Sequence, residues 1–275
     1  MGVKVSVVVP CFNSSDYVEY ALESVLAQSI QDFELVVVDD GSDDDTRDVL
    51  ASFAARHSEA GIHTLAQANA GTAAARNIGI AHAQGRYVLP LDADDAIAPT
   101  MLETCVRELD TDSSIDIVYT DREDFGDIRA VARAGEFTVE RLKYFNPLGY
   151  CSLFRRSLWQ TIGGYRVNVS GFDDWDFWLA AALRGCRARH VAQPLFRHRR
   201  RNESQLRQLL PSFERLHAQI ILNNASAYGT AEVHAAKLFL EHGGDAPTSL
   251  SCARFIFLAR YFEAHRTREG EVRCG

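Results

Sequence analysis

The sequence predicts a mainly parallel β-sheet with helices on both faces, on three observations. Short apolar runs rich in β-branched residues recur without polar interruption, as strands buried on both faces require. Between them lie stretches whose apolar residues fall at helical spacing. Each run gives way to a polar loop, and in such sheets ligands gather at the loops beyond the carboxyl ends of the strands.

The elements follow in order. Val5 to Val9 is a continuous strand run, broken at Pro10-Cys11-Phe12-Asn13-Ser14. From Asp16, apolar residues at Val18, Ala21, Leu22, Val25 and Leu26 mark a helix, with Asp16 and Glu19 spaced as a capping pair. Phe33 to Val38 is a strand, Thr46 to Arg56 a helix with Val49, Leu50 and Phe53 inward, and Ile62 to Leu65 a short strand. Thr72 to Ala83 reads as helix, Tyr87 to Leu91 as strand, Thr100 to Leu109 as helix and Ile115 to Thr120 as strand. Phe125 to Asn146 shows no clear period, and Leu148 to Arg189 mixes an aromatic-rich segment with the acidic cluster Asp173-Asp174-Trp175-Asp176.

After about Pro211 the pattern turns helical: Phe213, Leu216, Ile220 and Ile221, then Val233, Lys237, Leu238 and Leu240, then Phe255 to Phe262. Arg254, Arg260, Arg266 and Arg268 accompany the last stretch. Such a basic amphipathic segment would rest on an anionic membrane surface, or bury its apolar face against the rest of the chain or a second copy as a homo-oligomer contact.

A chain of 275 residues, 47% hydrophobic and 24% charged, can bury a sizeable core. Its net charge of −8 argues against nucleic acid as a partner. The six cysteines, Cys11, Cys105, Cys151, Cys186, Cys252 and Cys274, have no paired short spacing, so neither a zinc cluster nor a disulfide framework is signalled, and a reducing cytoplasm fits. The N-terminal residues do not read as a signal peptide. No apolar run approaches the roughly 20 residues a membrane span needs, so any membrane contact is expected to be peripheral, at the inner face.

The chemistry concentrates where Tyr87-Val88-Leu89-Pro90-Leu91 ends in Asp92-Ala93-Asp94-Asp95. Asp92 and Asp94 fall on one side if the strand geometry persists, and three ionised carboxylates together call for a cation or hydrogen-bond donors between them. Mg²⁺ accepts one or two carboxylates and completes its shell with substrate phosphates and water. The same aspartates would equally serve as a solvated turn capping the next helix. No glycine-rich dinucleotide fingerprint follows the first strand, and there is no Gly-Lys-Ser/Thr phosphate loop.

Five separated motifs in consistent order then carry a resemblance. Val7-Val8-Val9-Pro10-Cys11-Phe12-Asn13, Val36-Val37-Val38-Asp39-Asp40-Gly41-Ser42, Ala75-Arg76-Asn77, Asp92-Ala93-Asp94-Asp95, and Gly163-Gly164-Tyr165 before Asp173-Asp174-Trp175-Asp176 resemble the family 2 glycosyltransferases of the GT-A fold, over about residues 3 to 205. The resemblance implies a domain over 1–205, with a nucleotide-sugar half at about 1–109 and an acceptor half at 110–205, followed by a helical extension at 206–275. It implies an inverting hexosyltransferase-type reaction from a UDP- or dTDP-sugar to a glycan or lipid-linked acceptor, with Mg²⁺ or Mn²⁺ as cofactor, in polysaccharide or lipid-linked glycan synthesis. A non-catalytic nucleotide-sugar-binding or scaffold protein of the same fold is the alternative.

On this resemblance Asp40 accepts the imide N–H of a uracil or thymine ring, Pro10, Phe12 and Asn13 line the base and ribose pocket, and Arg76 reaches toward the nucleotide. Asp92 and Ala93 belong to the nucleotide-sugar site, Asp94 holds the metal, Asp95 supports or caps, and Asp174 is the general base. Asp173 stands where the family usually has Glu and is read as the cap of the following helix; Ala180 stands where an arginine is common. Trp175 would offer an acceptor platform or pack in the core, whereas Trp178 is read as core. In Phe196-Arg197-His198-Arg199-Arg200-Arg201, Arg199 and Arg201 would contact the diphosphate or form a solvated charge run; His198 stands where the family often has an aromatic, and its imidazole would alternatively serve as a Mn²⁺ ligand.

Overall fold

The computed structural model describes residues 3–200 and 212–242. The predicted alternation is present: β1 (Val5–Cys11), α1 (Val18–Leu26), β2 (Phe33–Asp39), α2 (Thr46–Arg56), β3 (Ile62–Ala66), α3 (Thr72–His82), β4 (Tyr87–Pro90), β5 (Ala96–Ile97) and α4 (Met101–Thr111). Beyond them lie β6 (Ile117–Gly126), β7 (Ala130–Ala132), α5 (Val139–Leu142), β8 (Leu153–Arg155), α6 (Arg156–Ile162), α7 (Asp173–Leu183) and β9 (Ala188–Arg200). Two further helices, α8 (Phe213–Asn223) and α9 (Thr230–His242), follow the main sheet.

The strands form one sheet in the order β3-β2-β1-β4-β8-β6-β9-β5, with β7 paired to β6. From β3 to β4 the pairing is parallel. The second half is mixed: β8 runs antiparallel to both β4 and β6, and β5 antiparallel to β9, while β6 and β9 are parallel. The continuous Val runs are explained by burial on both faces. Val7, Val9, Leu35 and Val37 pack with Leu22, Val25, Phe53, Leu102 and Leu109 of α1, α2 and α4. Their neighbours Val8, Val36 and Val38 point the other way, onto α3 and the layer of α7 and α8. Helix α3 lies so close to β1 that a Cβ on Gly79 would sit 2.4 Å from Val8 Cγ1.

Some predicted details differ. β1 continues through Pro10 to Cys11, because its ladder to β4 ends at Val8 and the proline lies beyond it. Asp16 and Glu19 form no capping pair: α1 begins after Tyr17 without a side-chain cap, and Glu19 instead pairs with Arg56 of α2. β6 runs on to Gly126, using the start of the stretch that showed no period, and its register with β9 shifts around Asp121. α8 buries Phe213, Ala218, Ile220 and Ile221 in the same core as Trp175 and Leu179 of α7. The expected helix at Phe255 to Phe262 and its arginines lie outside the described residues. Among the described residues, no helix is long and apolar enough to cross a membrane.

Candidate active site

β2, β1 and β4 are adjacent and parallel, so their carboxyl ends open along one edge, bringing three of the predicted loops together. The first two loops are stitched to each other. Asn13, with φ 48° the one described non-glycine residue in the left-handed region, donates its N–H to Ser42 Oγ at 3.0 Å and accepts from Asp43 N–H at 3.0 Å. Phe12 beside it is 46% exposed and offers an open aromatic face, while Pro10 is buried in β1. Asp39 accepts from Ser42 N–H and from Arg47 Nε at 2.6 Å; burial pushes its carboxyl up, but these donors outweigh it and hold the carboxyl low.

Asp40 is buried, and its carboxylate already has three donors: Gln67 Nε2 at 2.5 Å and the N–H groups of Ala70 and Gly71, each at 2.8 Å. It thereby ties down the loop entering α3, and a pyrimidine imide would join these donors rather than meet a free carboxylate. Gly41 follows at φ 77°, where a Cβ would lie 2.7 Å from Asn69 N, so a side chain has no room there.

Arg76 is the hub of the site. Instead of reaching outward it is buried, with Nη2 2.6 Å from Asp92 Oδ1 and Nη1 2.6 Å from Asp173 Oδ2. Its guanidinium lies over the rings of Tyr150, at 5.0 Å, and Tyr165, at 5.8 Å. Burial opposes its charge, but the two carboxylates outweigh that cost and keep it cationic. Asp173 is accordingly no helix cap: its carboxylate is turned to Arg76, and α7 has no side-chain cap bond at Phe172.

The Asp92–Asp95 turn is braced from two sides. Tyr150 Oη accepts from Asp92 N–H at 3.3 Å and donates to the Asp95 carboxylate. Arg199 donates its N–H to Asp95 Oδ1 at 2.6 Å and its Nε to the Asp94 carbonyl at 2.8 Å. Burial and the charge of Asp94 push the Asp95 carboxyl well above the ordinary range; burial also raises Asp92, against the pull of Arg76. Ala93 packs its methyl into the core, leaving only its backbone for a ligand.

Asp174, half-buried in the first turn of α7, accepts from Asn146 Nδ2 at 2.7 Å. Burial, reinforced by the charge of Asp173, pushes its carboxyl up to about 7. A carboxylate with that value is suited to take a proton near neutrality.

The remaining predicted residues have different outcomes. Trp175 is no acceptor platform: it is buried against Phe172 and Phe213, and its indole N–H donates to the Leu142 carbonyl at 2.5 Å. Trp178 is core, as expected, bonded to the Gly149 carbonyl. His198 pairs with Asp124 at 3.3 Å rather than with the turn carboxylates, and burial pushes its imidazole below its ordinary value. Arg199 lies over the rings of Phe125, Tyr17 and Tyr20 at 4.5, 5.1 and 5.2 Å, so its guanidinium is caged beside the turn. Arg201 lies outside the described residues.

A family model for glycosyl transferase family 2 matches residues 6–168, more than half of the chain. The chain belongs to that family. It is 30% identical over 185 residues to the chondroitin synthase of Escherichia coli, an alignment covering 64% of this chain and 26% of that protein. With the glycosyltransferase GlyG of Streptococcus pneumoniae it shares 35% identity over 146 residues, 52% of this chain and 48% of the relative. The chain thus spans about a quarter to a half of the length of these relatives. The fold matches Staphylococcus aureus TarS 1-349 in complex with UDP, with a TM-score of 0.66 at 23% identity, over 98% of this chain and 76% of that one. A mannosyltransferase from Pyrobaculum calidifontis, solved with GDP-Man and Mn²⁺, matches with a TM-score of 0.64 at 21% identity, over 96% and 76%.

Within this family 2 glycosyltransferase, some site residues carried no sequence signal. Asn146 closes the stretch without periodicity and Tyr150 stands in the aromatic-rich segment just after it, and nothing local marks them as partners of Asp174 and Asp95. Asn77 joins two motifs: its Nδ2 donates to the Tyr165 carbonyl at 2.7 Å, and its Oδ1 accepts from Tyr165 N–H at 2.8 Å and Trp159 Nε1 at 2.9 Å. Ala75-Arg76-Asn77 and Gly163-Gly164-Tyr165 could have been paired on that account, since both bear on one polar junction.

Proposed function

We propose that this enzyme transfers a sugar, with inversion, from a UDP- or dTDP-sugar to a hydroxyl of a glycan or lipid-linked acceptor in polysaccharide or lipid-linked glycan synthesis. The observation that carries the reading is the Arg76 bridge. One guanidinium bonds the Asp92 turn and, through Asp173, the first turn of α7, and so holds the helix start that carries Asp174, a carboxyl raised to about 7, close to the strand-end loops. Phe12 and Asn13 would line the base and ribose, and Asp40 and Asp92 would take hydrogen bonds from the base and the ribose. The UDP bound to TarS, and the UDP-GlcNAc in another TarS complex, support a uridine nucleotide as donor.

Asp94 supplies a hard oxygen donor at the turn. The described residues contain no group of three or more His, Cys, Asp or Glu that could hold an ion, and Mg²⁺ and Mn²⁺ readily take one such carboxylate with substrate phosphates and water. When bound there, the ion would neutralise charge on the departing diphosphate. Asp174 does the proton work: as the acceptor oxygen bonds to the anomeric carbon, its proton passes to the carboxylate. The bond from that carbon to the diphosphate oxygen breaks, and its electron pair leaves with the nucleoside diphosphate. A positioned base of this kind contributes about 10²- to 10⁴-fold.

A panel of UDP- and dTDP-sugars with Mn²⁺ and oligosaccharide acceptors, followed by nucleoside diphosphate release, tests the reading. Asp174→Asn should bind UDP as the parent does and lose transfer; full transfer by that variant refutes the role.

A further inference from the structure

Helix α7 meets one stretch, residues 142–149, at three points. Trp175 Nε1 donates to the Leu142 carbonyl at 2.5 Å, Trp178 Nε1 donates to the Gly149 carbonyl at 2.9 Å, and between them Asn146 Nδ2 donates to Asp174 Oδ2 at 2.7 Å. Both indoles are buried, so the stretch is bolted at each end to the helix that carries Asp174. The far side is held as well: His217 of α8 and Tyr228 both bond the Lys143 carbonyl, at 2.8 and 3.0 Å.

The Asn146 amide has one orientation available. Its Oδ1 accepts the Leu148 N–H at 3.2 Å, which leaves the nitrogen end for a carboxylate that can only accept. Pro147 follows, and the residue before a proline is confined to extended backbone, which limits the movement of the Asn146 stem. The charged and titratable groups facing Asp174 are Asp173 on the same helix, Arg76 from α3, Asp92 from the turn after β4, and Tyr165. Arg76 directs its two Nη atoms to Asp92 and Asp173, so the neutral amide holds the remaining carboxylate in place.

We propose that Asn146 is the positioning residue for sugar transfer: it engages Asp174 Oδ2 and thereby presents Oδ1 to the acceptor hydroxyl. This rests on the reading of Asp174 as the base. Asn146 touches neither donor nor acceptor in this scheme and acts through the carboxylate alone. A hydrogen bond to the ionised form also favours that form, so its loss should move the Asp174 titration upward.

The test follows the Asp174 carboxyl by NMR in the full chain labelled with ¹³C-aspartate, the signal being assigned by its absence in Asp174→Asn. Two variants are compared with the parent. Asn146→Ala removes the amide; Asn146→Ser keeps a hydroxyl for Leu148 N–H but is too short to reach Asp174, so the local turn is retained. In both, the titration midpoint should rise by about one pH unit, a charge-assisted hydrogen bond being worth at least that. With a donor identified by the sugar-nucleotide panel, turnover at pH 7 should fall by about fivefold from ionisation and further from lost orientation; the first part recovers at higher pH, the second persists there, and the donor KM is unchanged. A midpoint moved by less than about 0.3 of a unit in both variants overturns the proposal. If Asp174→Asn is inactive while that midpoint stays put, only the positioning role fails; if Asp174→Asn transfers sugar at the parent rate, the base assignment itself is lost.

Discussion

Replacing Arg76 with Met strips the cation from between two carboxylates while keeping an apolar stem of similar length. Each ion pair closes at 2.6 Å, and the arginine side chain is 4% exposed. With charge centres about 4 Å apart and an effective dielectric of about 20, each pair contributes roughly 4 kcal/mol of attraction before desolvation is charged against it. Removing one partner of a buried pair typically costs about 3–5 kcal/mol, because the charges left behind are uncompensated. Part of that cost is relieved when a carboxylate takes up a proton, and Asp92 is already pushed upward by burial and by Asp94. In the variant the Asp92 carboxyl, already raised, loses the pull of Arg76 and titrates further above its unfolded value, so the stability it contributes is present at low pH and lost as pH rises through the raised value. The expected loss is therefore about 4 kcal/mol at pH 8 and about half of that at pH 5. Urea unfolding followed by tryptophan fluorescence at both pH values measures it. A variant that also carries Asp92→Asn and Asp173→Asn should recover most of the loss, since no buried charge is then stranded. A loss below about 1 kcal/mol, or one of equal size at pH 5 and pH 8, would show that the Arg76 bridge leaves no uncompensated buried charge behind.

Two further outcomes follow from the same geometry. Asp174→Asn should stabilise the fold at pH 8 by about 2–4 kcal/mol, because the parent carboxyl is raised to about 7 and its ionisation disfavours the folded state. The gain should fade as pH drops below 7 and vanish near the ordinary carboxyl value; urea unfolding across that range that shows no gain at pH 8 contradicts the burial argument. Gly164→Ala should lose about 2 kcal/mol or more, since φ is 86° and its Cβ would lie 2.8 Å from Asn77 Oδ1. Gly163→Ala, at φ 90° with open space around it, should lose only about 1 kcal/mol, and equal losses would show that the Asn77 junction carries no weight.

Much of this was legible in the sequence because it is written in local pattern. The Val runs of β1 and β2 specify strands buried on both faces, and Asp40 and the Asp92–Asp95 turn stand at the carboxyl ends of β2 and β4, the two strands flanking β1, as their loops foretold. What stayed hidden depends on contacts distant in sequence. Arg76 meets Asp173 across 97 positions, and Asn77 meets Tyr165 across 88, so neither the burial of the arginine nor the loss of the Asp173 cap has a local signature. Trp175 follows Asp174 and resembles a sugar platform in composition; Phe172, the Leu142 carbonyl, and Phe213 and His217 arriving from α8 make it core. His198 carries a metal-compatible side chain, yet its pairing with Asp124 comes from the β6–β9 register, which no periodicity announces.

In the proposed function, the turn after β4 grips a nucleoside diphosphate together with a divalent ion through Asp94. Titration calorimetry of UDP with and without Mn²⁺, on the parent and on Asp94→Asn, tests it most directly. UDP should bind tightly only when Mn²⁺ is present, and Asp94→Asn should lose that metal enhancement by about tenfold or more. Equal metal enhancement in parent and variant would contradict it.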